Sequence, residues 1–190
     1  MSVFTPKDYL YDPSLLSKFN LGTRCELLKK DPRFDVRPLR LSDYDRGYLE
    51  LLSQLTEVGK VTREQYAAQF EAMRNCPGTY YITVIVDKEL DRIIGAATLF
   101  LERKFIHNCA LRSRIEDVVV NQTYRGKQLG KCVVDVLINL ANALGSYKLS
   151  LDCKDPLIKF YESLGFQREA GNANTLVIRL PGQKYGEPKL

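Results

Sequence analysis

Residues 113–145 decide the fold, because they read as an apolar strand, a short polar loop and a long helix in direct succession. The strand is Arg114-Ile115-Glu116-Asp117-Val118-Val119-Val120, and the loop enters the helix as Tyr124-Arg125-Gly126-Lys127-Gln128-Leu129-Gly130-Lys131. Apolar residues recur at helical spacing from Leu129 to Leu144, and the one polar stripe consists of Lys131, Asp135, Asn139 and Asn142. This pattern predicts a mostly buried helix that packs on a sheet.

Outward from this unit, the chain alternates between predicted strands and helices. Ser42-Asp43 reads as the cap of a first helix, and Thr62 with Gln65 forms a capping-box pattern for a second. In order, the sequence predicts a strand at 34–39, helices at 42–55 and 62–76, strands at 79–86, 93–101 and 112–120, the long helix, a strand at 147–151, a helix at 156–164 and a strand at 175–180. Antiparallel strands followed by a strand–helix–strand crossover predict an α/β (α+β mixed) fold with a mixed sheet.

The composition predicts one globular domain. The chain has 190 residues, of which 45% are hydrophobic and 27% charged, which argues against wholesale disorder, collagen and coiled coil. Residues 1–33 show little periodicity, so we interpret them as an N-terminal extension with a short helix near 14–20. The domain is then expected to span 34–180, with a polar C-terminal tail at 181–190.

The charge pattern points to an anionic ligand. The net charge of +5 is too mild to indicate a nucleic-acid partner, but seven basic and only three acidic residues lie between 102 and 131. No stretch approaches the ~18 apolar residues of a membrane span. The N-terminus shows no basic start followed by an apolar core, so a cytoplasmic location is expected.

The cysteines and the histidine give no metal-binding pattern. The cysteines form no CxxC pair, and their odd number favours reduced, buried thiols in a cytoplasmic protein; they are Cys25, Cys76, Cys109, Cys132 and Cys153. His107 is the only histidine, and no acidic or cysteine cluster accompanies it. We therefore expect no metal.

The loop itself admits more than one interpretation. Its helix start exposes backbone N–H groups that suit a phosphate, and Arg125, Lys127 and Lys131 add positive charge. A nucleoside-triphosphate P-loop is disfavoured because only three residues separate Gly126 from Gly130 and Cys132 replaces the magnesium-binding hydroxyl. On these residues alone, an ordinary strand-to-helix turn with a basic start remains open.

Two segments resemble the GNAT superfamily of acetyl-CoA-dependent N-acetyltransferases. Arg125 to Gly130 is similar to the pyrophosphate loop [QR]-x-x-G-x-[GA], with Gln128 in place of the first glycine. Phe160-Tyr161-Glu162-Ser163-Leu164-Gly165-Phe166 resembles the F-Y-x-x-x-G-F segment, although Leu157 replaces the asparagine often found before it.

A narrower resemblance, over roughly 34–180, is to the glucosamine-6-phosphate N-acetyltransferases. Its animal members also carry G-K-Q-L-G in the loop, so Gln128 is expected there. The similar segments, in order, are Leu55-Thr56-Glu57-Val58-Gly59, Glu102-Arg103-Lys104-Phe105-Ile106-His107, Ile115 to Val120, Arg125 to Lys131, and Tyr147-Lys148-Leu149-Ser150-Leu151-Asp152-Cys153.

This resemblance implies a fold, a reaction and a set of acetyl-CoA contacts. The fold would be a mostly antiparallel mixed sheet flanked by helices. Acetyl would pass directly, in a ternary complex, from acetyl-CoA to the 2-amino group of glucosamine 6-phosphate, supplying UDP-GlcNAc synthesis. Tyr161 would protonate the departing thiolate. The backbone of Gly126, Lys127, Gln128, Leu129, Gly130 and Lys131 would hold the pyrophosphate, and that of Val118, Val119 and Val120 the pantetheine arm and thioester oxygen.

The resemblance also implies the contacts to the sugar. Glu116 and Asp152 would bind the amine or its proton, and Asp117 would also contact the sugar. The remaining contacts would be Thr56, Lys104, His107, Arg179, Tyr147 and Lys148, the last two from a second subunit. A homodimer with shared active sites follows from this arrangement.

Two other functions compete with this interpretation. A GNAT enzyme that acetylates a protein amine or a polyamine would favour an acidic groove, which the basic stretch 102–131 disfavours. A non-catalytic acyl-CoA sensor would not need the retained Tyr161, Glu116 and Asp152.

Overall fold

A mixed sheet forms the centre of the fold in this computed structural model, which describes residues 8–18, 31–169, 171 and 176. Within those residues, five strands pair in the order β1-β2-β3-β4-β5. They are β1 (Phe34–Pro38), β2 (Tyr80–Asp87), β3 (Arg92–Arg103), β4 (Leu111–Val120) and β5 (Ser146–Ser150). β1 to β4 are antiparallel, and β5 runs parallel to β4. The predicted mixed, mostly antiparallel sheet is therefore confirmed.

Helices cover both faces of the sheet, since β3 is buried at every position from Ile93 to Leu99. The long helix Leu129–Ala143 packs against β2 to β5, and its buried residues include Val133, Leu137 and Leu140. The shorter helix Tyr48–Leu52 contacts β3 and β4. The other helical segments are Ser14–Lys18, Leu41–Arg46, Arg63–Arg74, Ile106–Cys109, Gln122–Tyr124, Asp155–Leu157 and Ile158–Glu162.

The capping box of the Arg63–Arg74 helix is confirmed. The backbone N–H of Gln65 donates to Thr62 Oγ1 at 3.2 Å, and the N–H of Thr62 donates to Gln65 Oε1 at 2.8 Å. The two side chains satisfy backbone donors that a helix start would otherwise leave open.

The predicted helix at 42–55 is wrong in detail. The structure has a 3-10 segment, Leu41–Arg46, and then an α-helix, Tyr48–Leu52, separated by Gly47 in the left-handed region at φ +78°. The cap position is Arg40 and not Ser42-Asp43. Asp43 is instead buried, and both Nη atoms of Arg37 donate to its carboxylate at 2.7 Å.

Part of the predicted N-terminal extension packs onto the sheet. Leu10, Tyr11 and Leu16 are buried, and the Tyr11 hydroxyl lies 2.6 Å from Thr83 Oγ1 on β2. The predicted short helix is present at Ser14–Lys18. The predicted last strand, 175–180, lies outside the described residues except for Leu176.

Candidate active site

The site lies where strand β4 extends beyond the end of its neighbour β5. β4 pairs with β5 only from Leu111 to Arg114, although β4 continues to Val120. Among the described residues, no strand therefore pairs with the β5-side edge of Ile115–Val120. An open edge of this kind offers backbone N–H and C=O groups to an extended ligand.

A bulge in β4 turns two carboxylates outward. Ala96 pairs with Val119 and Thr98 with Glu116, so Asp117 and Val118 together oppose one residue of β3. Asp117 adopts φ +52°, and both Glu116 and Asp117 are exposed. Desolvation by the surrounding protein raises the pKa of Asp117, and the negative charge of Glu116 raises it further. A bulge commonly re-aims side chains beside a functional site.

Arg114 brings the two predicted catalytic acids together. Its Nε donates to Glu116 Oε1 at 3.0 Å, and its Nη2 donates to Asp152 Oδ2 at 2.6 Å. These side chains are all substantially exposed, so the ion pairs add little to stability. Their effect is to fix the orientation of two carboxylates, one on β4 and one in the segment after β5.

Tyr161 lies at the same cleft as Asp152. Residues lining this cleft of about 610 Å³ include Arg114, Asp152, Cys153 and Tyr161. The Tyr161 ring packs edge-on between Phe160 and Phe166, with centroids 4.9 and 6.0 Å away. Burial raises the pKa of Tyr161, and Cys153 adds to the shift. The hydroxyl therefore keeps its proton at neutral pH, as a general acid requires.

The loop before the long helix is shaped to expose backbone donors. Gly126 has φ +83°, and Gln128, the residue that caps the helix, has φ +59°. Gln128 thus adopts the left-handed conformation that a glycine would reach without strain. Arg125 to Gln128 are exposed, and the first N–H groups of a helix have no carbonyl four residues before them.

Gly130 joins the strand, the loop and the Tyr161 helix. A Cβ added at Gly130 would meet Phe160 Cζ at 3.5 Å and Val120 Cγ2 at 3.7 Å. The open strand edge, the helix start and the segment that carries Tyr161 therefore converge within a few ångströms. Such convergence can hold one long anionic ligand along β4 and over the helix start.

The family of the chain follows from this geometry and from comparison with known proteins. Residues 45–166 match the model of the acetyltransferase (GNAT) family. The chain belongs to the GNAT family.

Its relatives include two curated proteins and one solved structure. A Drosophila melanogaster protein named probable glucosamine 6-phosphate N-acetyltransferase is 54% identical over 187 residues, covering 94% of this chain and 85% of the relative. A Dictyostelium discoideum glucosamine 6-phosphate N-acetyltransferase 1 is 43% identical over 139 residues, covering 73% of this chain and 88% of the relative. The crystal structure of the Arabidopsis thaliana glucosamine-6-phosphate N-acetyltransferase superposes with a TM-score of 0.71 at 38% identity, covering 75% of this chain and 97% of that one.

A second group of predicted GNAT site residues lies at the other end of the β4–β5 pair. The His107 ring lies 4.8 Å from that of Tyr147, and Lys104 forms an ion pair with Glu102. Tyr147 precedes Asp152 by five residues, which span roughly 17 Å of extended chain. Tyr147 and the His107 ring beside it are therefore not brought together with Asp152 within one chain.

The remaining predicted GNAT substrate contacts are placed as follows. Lys148 lines the same cleft as Tyr161, and its Nζ lies 2.7 Å from Glu169 Oε2. Thr56 is exposed just beyond the Tyr48–Leu52 helix, in a segment where Gln54 Oε1 accepts the backbone N–H of Gln122 at 2.9 Å. Arg179 lies outside the described residues.

Sequence reasoning missed Arg114, the residue that links the two acids. Its signal was available, because residues two apart on a strand point to the same face and Arg114 precedes Glu116 by two. Asp152 comes from the segment after β5, and sequence spacing alone does not place it opposite Arg114.

The prediction of buried cysteines is largely wrong. Of the four described cysteines, all of them thiols, only Cys132 is buried, whereas Cys76, Cys109 and Cys153 are exposed. Cys76 and Cys153 lie in connecting segments, and Cys109 ends the short helical turn Ile106–Cys109, which has no buried residue. In the described part of the chain, no helix is long and apolar enough to cross a membrane, and no group of three or more His, Cys, Asp or Glu could hold a metal.

Proposed function

We propose that this GNAT chain transfers acetyl from acetyl-CoA to the 2-amino group of D-glucosamine 6-phosphate, giving N-acetylglucosamine 6-phosphate for UDP-GlcNAc synthesis. One observation carries the proposal. Tyr161, Asp152 and Arg114 line one cleft at the point where β4 loses its neighbour, and Arg114 also holds Glu116. The acceptor sugar is the one for which the Drosophila and Dictyostelium relatives are named.

The chain holds acetyl-CoA by its backbone. The N–H groups from Gly126 to Lys131 bind the pyrophosphate, with Lys127 and Lys131 adding charge. The open edge at Val118–Val120 pairs with the pantetheine arm, and one of its N–H groups donates to the thioester oxygen as negative charge develops there. The left-handed loop and the unpaired edge support this assignment.

The reaction needs no covalent enzyme intermediate. The sugar amine attacks the thioester carbonyl in a ternary complex, so a C–N bond forms and the C–S bond breaks. Tyr161 gives its proton to the departing CoA thiolate. The attacking nitrogen loses one proton, which Glu116 or Asp152 passes to solvent, and solvent returns a proton to the Tyr161 oxygen. Glu116 and Asp152 bind and orient the amine, and Arg114 positions both carboxylates. Alignment of two bound substrates removes much of the barrier.

We propose that the acceptor site is completed by a second copy of the chain. Lys104, His107 and Arg179 would contact the sugar phosphate, with Thr56 adding a hydroxyl, whereas Tyr147 and Lys148 would come from the partner. Lys148 lines the Tyr161 cleft of its own chain, whereas Tyr147 lies roughly 17 Å of extended chain from Asp152, and the position of Tyr147 supports a shared site. So does Phe105, which is 97% exposed and lies beside the exposed Ile106 in the turn that carries His107. The thiol state of the described cysteines fits the proposed cytoplasmic location.

Release of free thiol from acetyl-CoA tests the proposal. The acceptors compared are glucosamine 6-phosphate, glucosamine and a lysine peptide, each at the same concentration. We expect rapid release with the phosphorylated sugar and much slower release with glucosamine. Turnover with the peptide alone would show that the chain is a protein acetyltransferase and would reject the proposal.

A further inference from the structure

Asp87 is a buried carboxylate that the proposed mechanism does not use. It ends β2 and is fully buried, and Arg33 donates from Nε and Nη2 to its Oδ2 at 2.8 and 2.5 Å. These hydrogen bonds are the main reason that the pKa of Asp87 is lowered to about 2. Its Oδ1 accepts the backbone N–H of Glu89 at 3.1 Å, which shapes the turn between β2 and β3.

Tyr124 connects this carboxylate to the anion-binding loop. Its hydroxyl donates to Asp87 Oδ2 at 2.5 Å, and its ring packs edge-on to Phe34 with centroids 6.2 Å apart. Lys127 Nζ lies 5.4 Å from the centre of the same ring, within range of a cation–π contact. The Tyr124 side chain thus contacts both the buried Asp87 carboxylate and the Lys127 ammonium of the loop.

Tyr124 is also the last buried side chain before the exposed stretch Arg125–Gln128. Upstream of it, the backbone N–H of Asn121 donates to the Ile94 carbonyl at 2.8 Å. Gly126 and Gln128 then follow with positive φ angles. The position of the Tyr124 ring therefore fixes the start of the loop and, with it, the positions of the backbone N–H groups that follow.

We propose that the Asp87–Tyr124 pair positions the loop for CoA. The pair fixes the start of Gly126–Lys131 and so sets the affinity for the pyrophosphate, without contact with the acetyl group or the sugar. Hydrogen bonds weaken steeply when donors are misplaced, so a small movement of Tyr124 reduces several N–H contacts at once. The inference rests on the proposed function of the loop.

Two tyrosine variants separate positioning from stability. Tyr124→Phe removes the hydroxyl that reaches Asp87. Tyr11→Phe is the matched control, because Tyr11 is equally buried and its hydroxyl makes one buried hydrogen bond, to Thr83, on a different part of the sheet. For each variant we would measure the melting temperature, the Kd for CoA by calorimetry without sugar, kcat, and KM for both substrates.

We expect similar small losses in melting temperature for both variants. Only Tyr124→Phe should weaken CoA binding and raise the KM for acetyl-CoA, by about fivefold, the equilibrium effect of one net hydrogen bond. Its kcat at saturating acetyl-CoA and its KM for glucosamine 6-phosphate should stay within about twofold of wild type, since its contacts do not reach those groups. An unchanged Kd for CoA, or an equal change in Tyr11→Phe, would overturn the inference.

A second variant covers the case in which Tyr124→Phe does not fold. Arg33→Gln removes the guanidinium that holds Asp87 and should weaken CoA binding in the same direction by a smaller factor. If Arg33→Gln left CoA binding unchanged, the inference would fail by this route as well. Lys127→Ala tests the charge that the loop adds to its backbone contacts, and normal CoA affinity in Lys127→Ala would reject that contribution. Wild-type protein that bound no CoA would reject the proposed role of the loop itself and not just that of the pair.

Discussion

The two ends of the β4–β5 pair differ in how complete they are within one chain. At the carboxyl ends, the open strand edge, the loop and Tyr161 converge around Gly130. At the amino ends, His107 and Tyr147 lie on an open surface beside Phe105. We infer from this difference that one chain can bind CoA alone, whereas the acceptor sugar needs a second chain.

The largest effect is expected at the complete end. Tyr161→Phe should lower kcat about 100-fold or more, because a general acid contributes at least that factor. The KM for acetyl-CoA should change little, since the ring and its packing remain. Steady-state kinetics with both substrates measures the two constants separately.

Tyr81→Phe is the control for this variant. Tyr81 is also buried but lines a different cavity, together with Tyr11 and Met73. Its kcat should match wild type. An equal fall in both variants, or no fall in Tyr161→Phe, would remove Tyr161 from the chemistry.

The next largest effect is expected at the incomplete end. Phe105→Asp should weaken dimerisation about 30-fold or more if Phe105 is buried in the interface, as hot-spot aromatics are. Activity should fall in parallel and become dependent on protein concentration, while CoA binding persists. Sedimentation velocity and activity over a dilution series measure both.

Leu90→Asp provides the comparison for the dimer variant. Leu90 is also exposed, at 59%, but lies in the turn between β2 and β3. The Leu90→Asp variant should have the same association state and the same activity as wild type. A monomeric wild-type protein with full activity would show that each chain has a complete acceptor site.

A smaller effect is expected from Arg114. Arg114→Gln should lower kcat/KM for glucosamine 6-phosphate about tenfold, because Glu116 and Asp152 lose the group that orients them. The KM for acetyl-CoA should not change. Arg63→Gln is the control, since Arg63 forms an exposed ion pair with Asp45 and neither residue lines the cleft. Equal kinetics for both variants would contradict a positioning role for Arg114.

Acid conditions should affect the complete end through Asp87. The pKa of Asp87 is about 4 in the unfolded chain and about 2 in the folded protein. The ionised carboxylate therefore stabilises the fold above about pH 4, and this stabilisation is lost as the pH falls through about 2. Asp87→Asn should therefore be less stable than wild type at pH 7, and the gap should narrow between pH 4 and pH 2. Urea unfolding at a series of pH values measures it, and a gap independent of pH would show that the charge of Asp87 does not contribute.

The complete end was also the more predictable one from the sequence. The loop and the segment around Tyr161 are each a contiguous motif. Their places in the fold could therefore be predicted from neighbouring residues alone. The contact between Arg114 and Asp152 was not predicted, because it joins β4 to the segment after β5. The bulge at Asp117 was missed because period-two alternation assumes an unbroken strand. The break at Gly47 was also missed, because the apolar residues of the predicted helix at 42–55 keep helical spacing across it.

The smallest effect should come from Gln128, which replaces the first glycine of the loop motif and has a left-handed backbone. Gln128→Gly removes the clash of a side chain at φ +59° but adds unfolded-state freedom, so the free energy of unfolding should rise by less than about 1 kcal/mol. Lys127→Gly, in the same loop but without a positive φ, should lower it by a similar amount. Urea denaturation at pH 7 measures both. If both variants were destabilised equally, the left-handed conformation of Gln128 would carry no strain, and the loop would tolerate its non-glycine residue at no cost.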